Sequence, residues 1–104
     1  MIEEDIKLTV DGRSFSATRA TPDGQESGWT LVYAPGAGSN LNDPFGEYLA
    51  RRLAGSGIST VRFQFPYMEE GKRRPDPPQL LEETWREIIR TVQPANGRLL
   101  VGGR

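Results

Sequence analysis

The alternation of hydrophobic and polar residues predicts two strands at the start of the chain. Residues Ile6 to Val10 alternate strictly, and residues Ser14 to Thr21 alternate less regularly. Asp11-Gly12 lies between these two stretches, and this dipeptide favours the tight turn of a two-residue β-hairpin. The pattern therefore predicts an antiparallel hairpin that ends in the turn residues Thr21 to Gly24.

Beyond the hairpin, short apolar runs alternate with stretches of helical spacing. The apolar runs predict strands at Thr30–Ala34, Ser59–Phe65 and Arg98–Val101. The first predicted helix begins at Asp43-Pro44, ends at Gly55 and Gly57, and has an apolar face of Phe45, Tyr48, Leu49 and Leu53. The second has an apolar face of Leu81, Trp85, Ile88, Ile89 and Val92. The spacing therefore indicates two helices, each between two strands.

This order of elements predicts an α/β fold, in which the antiparallel hairpin is followed by a parallel βαβαβ three-layer sandwich. Parallel neighbours need a long crossover, and a helix supplies it. Ligands of such sheets bind beyond the carboxyl ends of the strands. Three segments meet this condition: the loop from Pro35 to Asp43, the loop from Pro66 to Pro77, and the residues after Val101.

Two polar residues interrupt the strand from Ser59 to Phe65. Arg62 and Gln64 lie on the face opposite Val61 and Phe63. Polar groups inside a sheet are costly unless they are hydrogen-bonded, so both side chains need partners or a place near the strand end. The sequence leaves open which of these applies, and whether Arg62 or the basic residues Lys72 to Arg74 recognise an anion.

The composition excludes several classes of protein. The 104 residues contain no cysteine and no histidine, which excludes disulfides, thiolate zinc sites, a cysteine nucleophile and an imidazole base within this chain. A net charge of −1 argues against a nucleic-acid partner. No apolar run is long enough for a membrane span, and the acidic start does not resemble a signal peptide. We therefore expect a cytoplasmic chain without a metal or other cofactor.

The glycine-rich turn Pro35 to Asn40 allows three interpretations. Gly36-x-Gly38 after a strand is compatible with a dinucleotide phosphate, but Leu41 occupies the position of the required third glycine. The same glycines could direct a backbone N–H into the cleft as an oxyanion donor. They could also form a tight turn with no chemical task, which is the commonest role of a lone Gly-x-Gly.

The end of the chain favours the second interpretation. An apolar strand, Leu99 to Val101, runs into glycines, as the strand before a nucleophile elbow does. In a Gly-x-Ser-x-Gly elbow, Gly103 and Arg104 match the first two positions. The serine would then be the next residue, which lies outside this sequence.

Three segments together resemble the α/β-hydrolase superfamily, and more narrowly its dienelactone-hydrolase-like, KANL3/Tex30-type branch. They are Leu31 to Gly38, Val61 to Glu69 and Leu100 to Arg104, and the string Phe63-Gln-Phe-Pro-Tyr-Met-Glu69 is the most specific. The resemblance covers the chain from about Thr30 to Arg104. Members of the branch usually read His-Gly-Ala-Gly at the first turn, where this chain has Pro35.

The resemblance implies a serine hydrolase that acts on ester or related acyl bonds of a small molecule. It assigns the oxyanion N–H to Ala37, the shape of the turn to Gly36 and Gly38, and the start of the nucleophile elbow to Gly103 and Arg104. No residue of the Ser/Asp/His triad can be assigned here.

On this interpretation, residues 1–104 form a single, incomplete α/β-hydrolase domain that is inactive by itself. A chemically modified serine at the position after Arg104 would be compatible with the same ending. Self-association through an exposed sheet edge stays open. The alternative function is a non-catalytic binding or scaffold module of the same fold.

Overall fold

The computed structural model describes residues 1–24, 26–36, 40–93 and 97–103. Its elements, in chain order, are β1 (Ile2–Val10), β2 (Arg13–Thr21), β3 (Trp29–Ala34), α1 (Pro44–Ala54), β4 (Ser59–Phe63), α2 (Pro66–Glu69), α3 (Pro78–Val92) and β5 (Arg98–Gly103). This order confirms the predicted hairpin and the strand-helix-strand-helix-strand unit after it. The short helix α2 differs from the prediction, which places its residues in the loop from Pro66 to Pro77.

The turn of the hairpin has the geometry that its sequence predicts. Asp11 and Gly12 both adopt positive φ angles, 51° and 74°. This left-handed pair matches the right-handed twist of the flanking strands. β1 begins at Ile2, four residues earlier than the alternation indicated, because it pairs with β2 over its whole length from Ile2 opposite Thr21 to Val10 opposite Arg13.

The five strands form one mixed sheet in the order β1-β2-β4-β3-β5. β3 is parallel to both of its neighbours, β4 and β5, and the hairpin joins the sheet through the antiparallel pair of β2 and β4. The predicted set of three parallel strands is thus confirmed. Because β3 lies in the middle of that set, the loop after β3 begins directly beside the end of β5.

Helices α1 and α3 lie on opposite faces of this sheet, as a three-layer sandwich requires. On one face, Phe63 of β4 makes an edge-to-face contact with Trp85 of α3, with 5.0 Å between ring centroids. On the other face, Gly46 of α1 packs against Tyr33 and Arg62. The main hydrophobic core lies on the α3 side, where Phe15, Phe63 and Ile88 are fully buried.

The face that α1 turns to the sheet differs from the predicted one. Phe45 and Tyr48, both assigned to the buried face, are exposed, whereas Gly46 and Ala50 are buried. A Cβ atom on Gly46 would lie only 3.2 Å from a ring carbon of Tyr33. The helix therefore approaches the sheet through its small residues, a contact that hydrophobic spacing cannot reveal.

The end of α1 also differs in part from its prediction. Gly57 has the left-handed conformation expected after a helix, with φ of 80°. Gly55, which was expected to share this role, keeps a right-handed helical conformation with φ of −63°. The helix itself ends at Ala54, and the left-handed residue that turns the chain away comes two positions after Gly55.

The predicted face of α3 is confirmed in part, because Ile88 and Val92 are buried as expected, but Leu80 and Thr84 are buried with them. Leu81, Trp85 and Ile89 are only partly buried. Thr84 can lie in the core because its hydroxyl donates to the Leu80 carbonyl at 2.7 Å. On the outer face, Glu82 and Arg86 form an i,i+4 ion pair at 3.8 Å.

Candidate functional site

The ends of β3 and β5 lie side by side at the carboxyl edge of the sheet. Ala34 is paired with Gly103 in the register of the two parallel strands. The approach is close, because a Cβ atom on Gly103 would lie 2.9 Å from the carbonyl oxygen of Ala34. Only glycine fits this position without a shift of the backbone. Gly102 and Gly103 belong to β5 itself, so the strand is two residues longer than predicted.

Of the predicted oxyanion and elbow residues, the structure describes Gly36 and Gly103. Gly36 follows the buried Pro35 directly after β3. Ala37 and Gly38 lie outside the described residues, as do Ser39 and Arg104. The structure therefore shows where the two predicted segments start, and that they start on adjacent strands.

The second half of the loop after β3 forms a compact turn before α1. The Asn42 N–H donates to the side-chain oxygen of Asn40 at 2.8 Å, and the Asp43 N–H donates to the Asn40 carbonyl at 3.1 Å. Asp43 then accepts a hydrogen bond from the Gly46 N–H as the N-cap of α1. Asn40 thus has a turn-forming role, as its residue type suggests.

The carboxyl end of β4 leads into α2. This helix borders the cleft at the carboxyl edge of the sheet on one side, and the loop after β3 borders it on the other. Phe65, Pro66 and Tyr67 are buried at this corner. The Tyr67 N–H donates to Asp76 at 3.0 Å, so the loop after α2 folds back onto the start of that helix. Burial and the nearby Asp76 carboxylate raise the pKa of the Tyr67 phenol. Tyr67 is therefore neutral at physiological pH.

A cavity of about 490 Å³ lies between the two cleft-side loops. The described residues that line it are Asn40, Tyr67, Met68, Gly71, Lys72 and Arg73. Amide, phenol and cationic groups thus border the space beside the turn that precedes α1. The volume lies within the range that is typical of small-molecule sites.

The two glutamates of the second loop are held by cations from the hairpin. Arg13 donates two hydrogen bonds to Glu70, at 2.8 and 3.0 Å. Hydrogen bonds from Arg13 and Lys72 lower the pKa of Glu70 from 4.5 to about 2. A carboxyl group with this pKa is ionised at neutral pH and is a poor general acid.

Glu69 is likewise held as a carboxylate. Burial alone would raise its pKa, but hydrogen bonds from Ser16, Lys7 and Gln64 together lower it below the ordinary value. Lys7 donates to Glu69 at 3.1 Å and to Ser16 at 2.7 Å. A pair of catalytic carboxyl groups at these two positions is therefore not supported, since both are engaged in fixing α2 to the hairpin.

Arg62 and Gln64, whose partners the sequence left open, both contact the main chain of Leu41. Arg62 donates to the Leu41 carbonyl at 3.1 Å, and the Leu41 N–H donates to the side-chain oxygen of Gln64 at 3.0 Å. Arg62 also lies 3.6 Å from Glu3. Their polarity predicts that both side chains need partners, but no feature of the sequence around residues 62 and 64 selects Leu41 as that partner.

Metal and membrane sites receive no support from the described part of the chain. Within residues 1–24, 26–36, 40–93 and 97–103, no group of three or more acidic, histidine or cysteine residues is placed to hold a metal ion. No described helix is both long and apolar enough to cross a bilayer.

Comparison with known proteins finds a matching family model and several solved structures with a similar fold. A family model described as an alpha/beta hydrolase domain matches residues 27–104. No curated protein matches the sequence. The fold is similar to an alpha-beta serine hydrolase homologue from Coxiella burnetii, with a TM-score of 0.81 and 23% identity over 96% of this chain and 50% of that one.

Two further solved structures share the fold. XC6422 from Xanthomonas campestris, an a/b serine hydrolase without a lid, has a TM-score of 0.82 and 19% identity over 97% of this chain and 50% of its own. A cold-adapted esterase from an Arctic intertidal metagenomic library has a TM-score of 0.70 and 20% identity over 97% and 48%, respectively. The chain thus spans about half the length of these structures.

Proposed function

Because this chain belongs to the alpha/beta hydrolase family, we propose that it supplies the oxyanion loop, but no triad residue, to a serine hydrolase that acts on ester or related acyl bonds. Solved structures with the same fold include a serine hydrolase homologue and an esterase. Since one fold supports many functions, the proposal depends on the geometry of the strand ends.

The observation that carries the proposal is the contact between Ala34 and Gly103. A nucleophile elbow and an oxyanion loop must place their atoms within about 3 Å of one reacting carbonyl. Adjacent strands lie only about 4.8 Å apart, so segments that leave the ends of β3 and β5 start close enough to meet this requirement. The absence of a side chain at Gly103 permits the close approach.

Each predicted site residue then has a role in acyl transfer. The Ala37 N–H donates to the developing oxyanion, and Gly36 and Gly38 give the loop its shape. Gly103 and Arg104 begin the elbow, whose serine attacks the carbonyl carbon. The serine, its histidine base and the acid that orients the histidine come from sequence beyond Arg104.

We assign the protein to the dienelactone-hydrolase-like, KANL3/Tex30-type branch on the string from Phe63 to Glu69. In the structure, Phe63 and Phe65 are core residues and Pro66 is the first residue of α2. Glu69 ties that helix to the hairpin through Lys7. These residues thus form the connection between β4 and α2, the helix that borders the cleft. A small acyl substrate and a cytoplasmic location complete the proposal.

Pro35 favours a second candidate function, a non-catalytic binding module. It is buried at the position where the branch usually carries histidine, and proline has neither an imidazole nor a backbone N–H. A module of this kind would keep the cavity beside Tyr67 but lack turnover.

Two measurements separate these functions. The coding sequence after Arg104 should read Ser-x-Gly, followed downstream by an acid and a histidine. The protein expressed from that full sequence should hydrolyse p-nitrophenyl acetate and be labelled by a fluorophosphonate, and replacement of the elbow serine by alanine should abolish both. A residue other than serine at the elbow, or no turnover and no labelling, would favour the binding module.

The 104-residue chain alone should show no such hydrolysis, since removal of nucleophile and base leaves only binding and oxyanion stabilisation. Turnover by this chain that a serine reagent inhibits would contradict the assignment of the triad to later residues.

A further inference from the structure

Arg62 is an unusual residue for an interior strand, and Gln64 follows the end of that strand directly. β4 lies between β2 and β3, and Arg62 is 6% exposed. Its Nε atom is buried without a hydrogen-bond partner among the described residues. A buried cation with incomplete partners contributes little to stability and is often replaceable by an apolar residue. Its presence in this strand therefore points to a task other than stability.

That task is visible in the partner that the two side chains share. Both main-chain groups of Leu41 are bound by side chains, the carbonyl by Arg62 of β4 at 3.1 Å and the N–H by Gln64, which follows β4 directly, at 3.0 Å. We call this arrangement of Arg62, Gln64 and the Leu41 main chain the Leu41 clamp. Because the N–H and the carbonyl of Leu41 belong to the peptide groups on either side of it, these two bonds fix the residue in orientation as well as in position.

Gln64 also connects the clamp to the opposite cleft wall. Its side-chain N–H donates to Glu69 at 3.3 Å, and Glu69 is held in turn by Lys7. Because Glu69 is ionised and only accepts, the amide nitrogen of Gln64 faces Glu69 and the amide oxygen faces Leu41. A glutamate at this position would accept from Leu41 but repel Glu69. An amide side chain is thus suited to both contacts, because its oxygen accepts from Leu41 and its nitrogen donates to Glu69.

Arg62 connects the same clamp to the start of α1. A Cβ atom on Gly46 would lie 3.3 Å from Cδ of Arg62, so the stem of the arginine packs under the first turn of the helix. Leu41 is two residues before the N-cap Asp43. The clamp therefore fixes the position, relative to the sheet, at which the loop after β3 enters α1.

We infer that Arg62 and Gln64 are positioning residues for acyl transfer, acting through the main chain of Leu41 to fix residues 40–43, the part of the loop after β3 that leads into α1. This inference rests on the proposed function, in which that loop holds the developing oxyanion. Misplacement of such a group by about 1 Å can slow a reaction roughly 100-fold. Substrate binding elsewhere in the cleft need not change.

The test uses Gln64→Met and Arg62→Met in the protein expressed from its full coding sequence. Gln79→Met and Arg86→Met are matched controls, because Gln79 and Arg86 also contact glutamates but lie exposed on α3. We expect hydrogen exchange of the Leu41 amide to accelerate in the Gln64 variant. In both clamp variants, kcat should fall roughly 10- to 100-fold with KM changed less than about twofold.

Affinity for an alkyl boronic acid, which forms a tetrahedral adduct, should fall in parallel with kcat. Arg62→Lys, which keeps one donor, should recover part of the lost rate. Unchanged Leu41 exchange, or faster exchange with unchanged kcat and boronate affinity, would overturn the inference. If the wild-type protein has neither turnover nor fluorophosphonate labelling, the proposed function fails, and Leu41 exchange still decides whether the clamp holds the loop.

Discussion

At the scale of single residues, the two glycines that end β5 have different surroundings. A Cβ atom on Gly103 would meet the Ala34 carbonyl oxygen at 2.9 Å, which is closer than real Cβ atoms approach. A Cβ atom on Gly102 would meet only Leu31 Cδ1, at an ordinary 3.9 Å. The requirement for glycine is therefore specific to one position, the one beside the candidate oxyanion loop.

Gly103→Ala should force β3 and β5 apart at their carboxyl ends. We expect a loss of about 1–3 kcal/mol in the free energy of unfolding, measured by chemical denaturation of the full-length protein, because backbone atoms cannot move aside as easily as a flexible side chain. Gly102→Ala is the matched control and should be neutral or slightly stabilising, since it restricts the unfolded chain without a clash. Equal stabilities of the two variants would contradict the close approach.

Single residues also mark the limit of prediction from sequence. Asp11-Gly12 predicted its turn correctly because the required backbone conformation is a property of the two residues themselves. Arg62 was recognised as needing a partner, but the partner is a main-chain carbonyl 21 residues away. Its position depends on the fold of the intervening loop, so no local pattern could have revealed it.

At the scale of elements, α2 is a short helix fixed by charges from another part of the chain. Glu69 and Glu70 contact Lys7 and Arg13 of the hairpin. Arg13 also pairs at 2.9 Å with Asp76, whose side chain is 5% exposed. Four residues are too few to give a helical hydrophobic pattern, which is why sequence analysis assigned this segment to a loop.

This network makes a prediction about acid stability. The folded-state pKa of Glu70, about 2, lies below its ordinary value of 4.5. Its contribution is therefore fully present above about pH 4.5 and is lost as the pH falls toward 2. As the pH falls from 4.5 toward 2, the free energy of unfolding of Glu70→Gln, measured by chemical denaturation, should therefore decrease less than that of the wild-type protein.

The control for this experiment is Glu47→Gln, since Glu47 is exposed on α1 and lies outside the network. It should keep the wild-type loss of stability in acid. If Glu70→Gln also keeps it, the contact between Arg13 and Glu70 does not operate in solution.

Prediction of α1 succeeded for its bounds and failed for its orientation. Asp43 and Pro44 specify the start of the helix by chemistry that acts within one turn. The buried face depends on how closely the helix approaches β4, and Gly46 and Ala50 allow this approach because they are small. Large apolar residues therefore predicted that a helix forms, but not which of its faces is buried.

At the scale of the whole molecule, β5 lies at the end of the described sheet with β3 as its neighbour. Leu100 and Val101 are 47% and 56% exposed on this strand. A groove of about 420 Å³ beside it is bordered by Trp85 and Ile89 of α3. An apolar edge of this kind favours pairing with another chain.

The 104-residue chain should therefore self-associate, and Val101→Lys should shift it toward the monomer in sedimentation velocity, because a charge opposes edge-to-edge pairing. Tyr48→Lys is the matched control, since Tyr48 is also 56% exposed but lies on α1, away from this edge. A monomeric wild-type chain, or an equal effect of both substitutions, would argue against association through β5.

The hairpin contributes residues that shape the candidate functional site. The family match begins at residue 27, yet Lys7 and Arg13, which hold Glu69 and Glu70 in place, precede it. A shortened protein that started at residue 27 would retain all three parallel strands and still lose the groups that keep one side of the cleft in register. Family boundaries drawn from shared sequence therefore exclude residues on which the shape of this site depends.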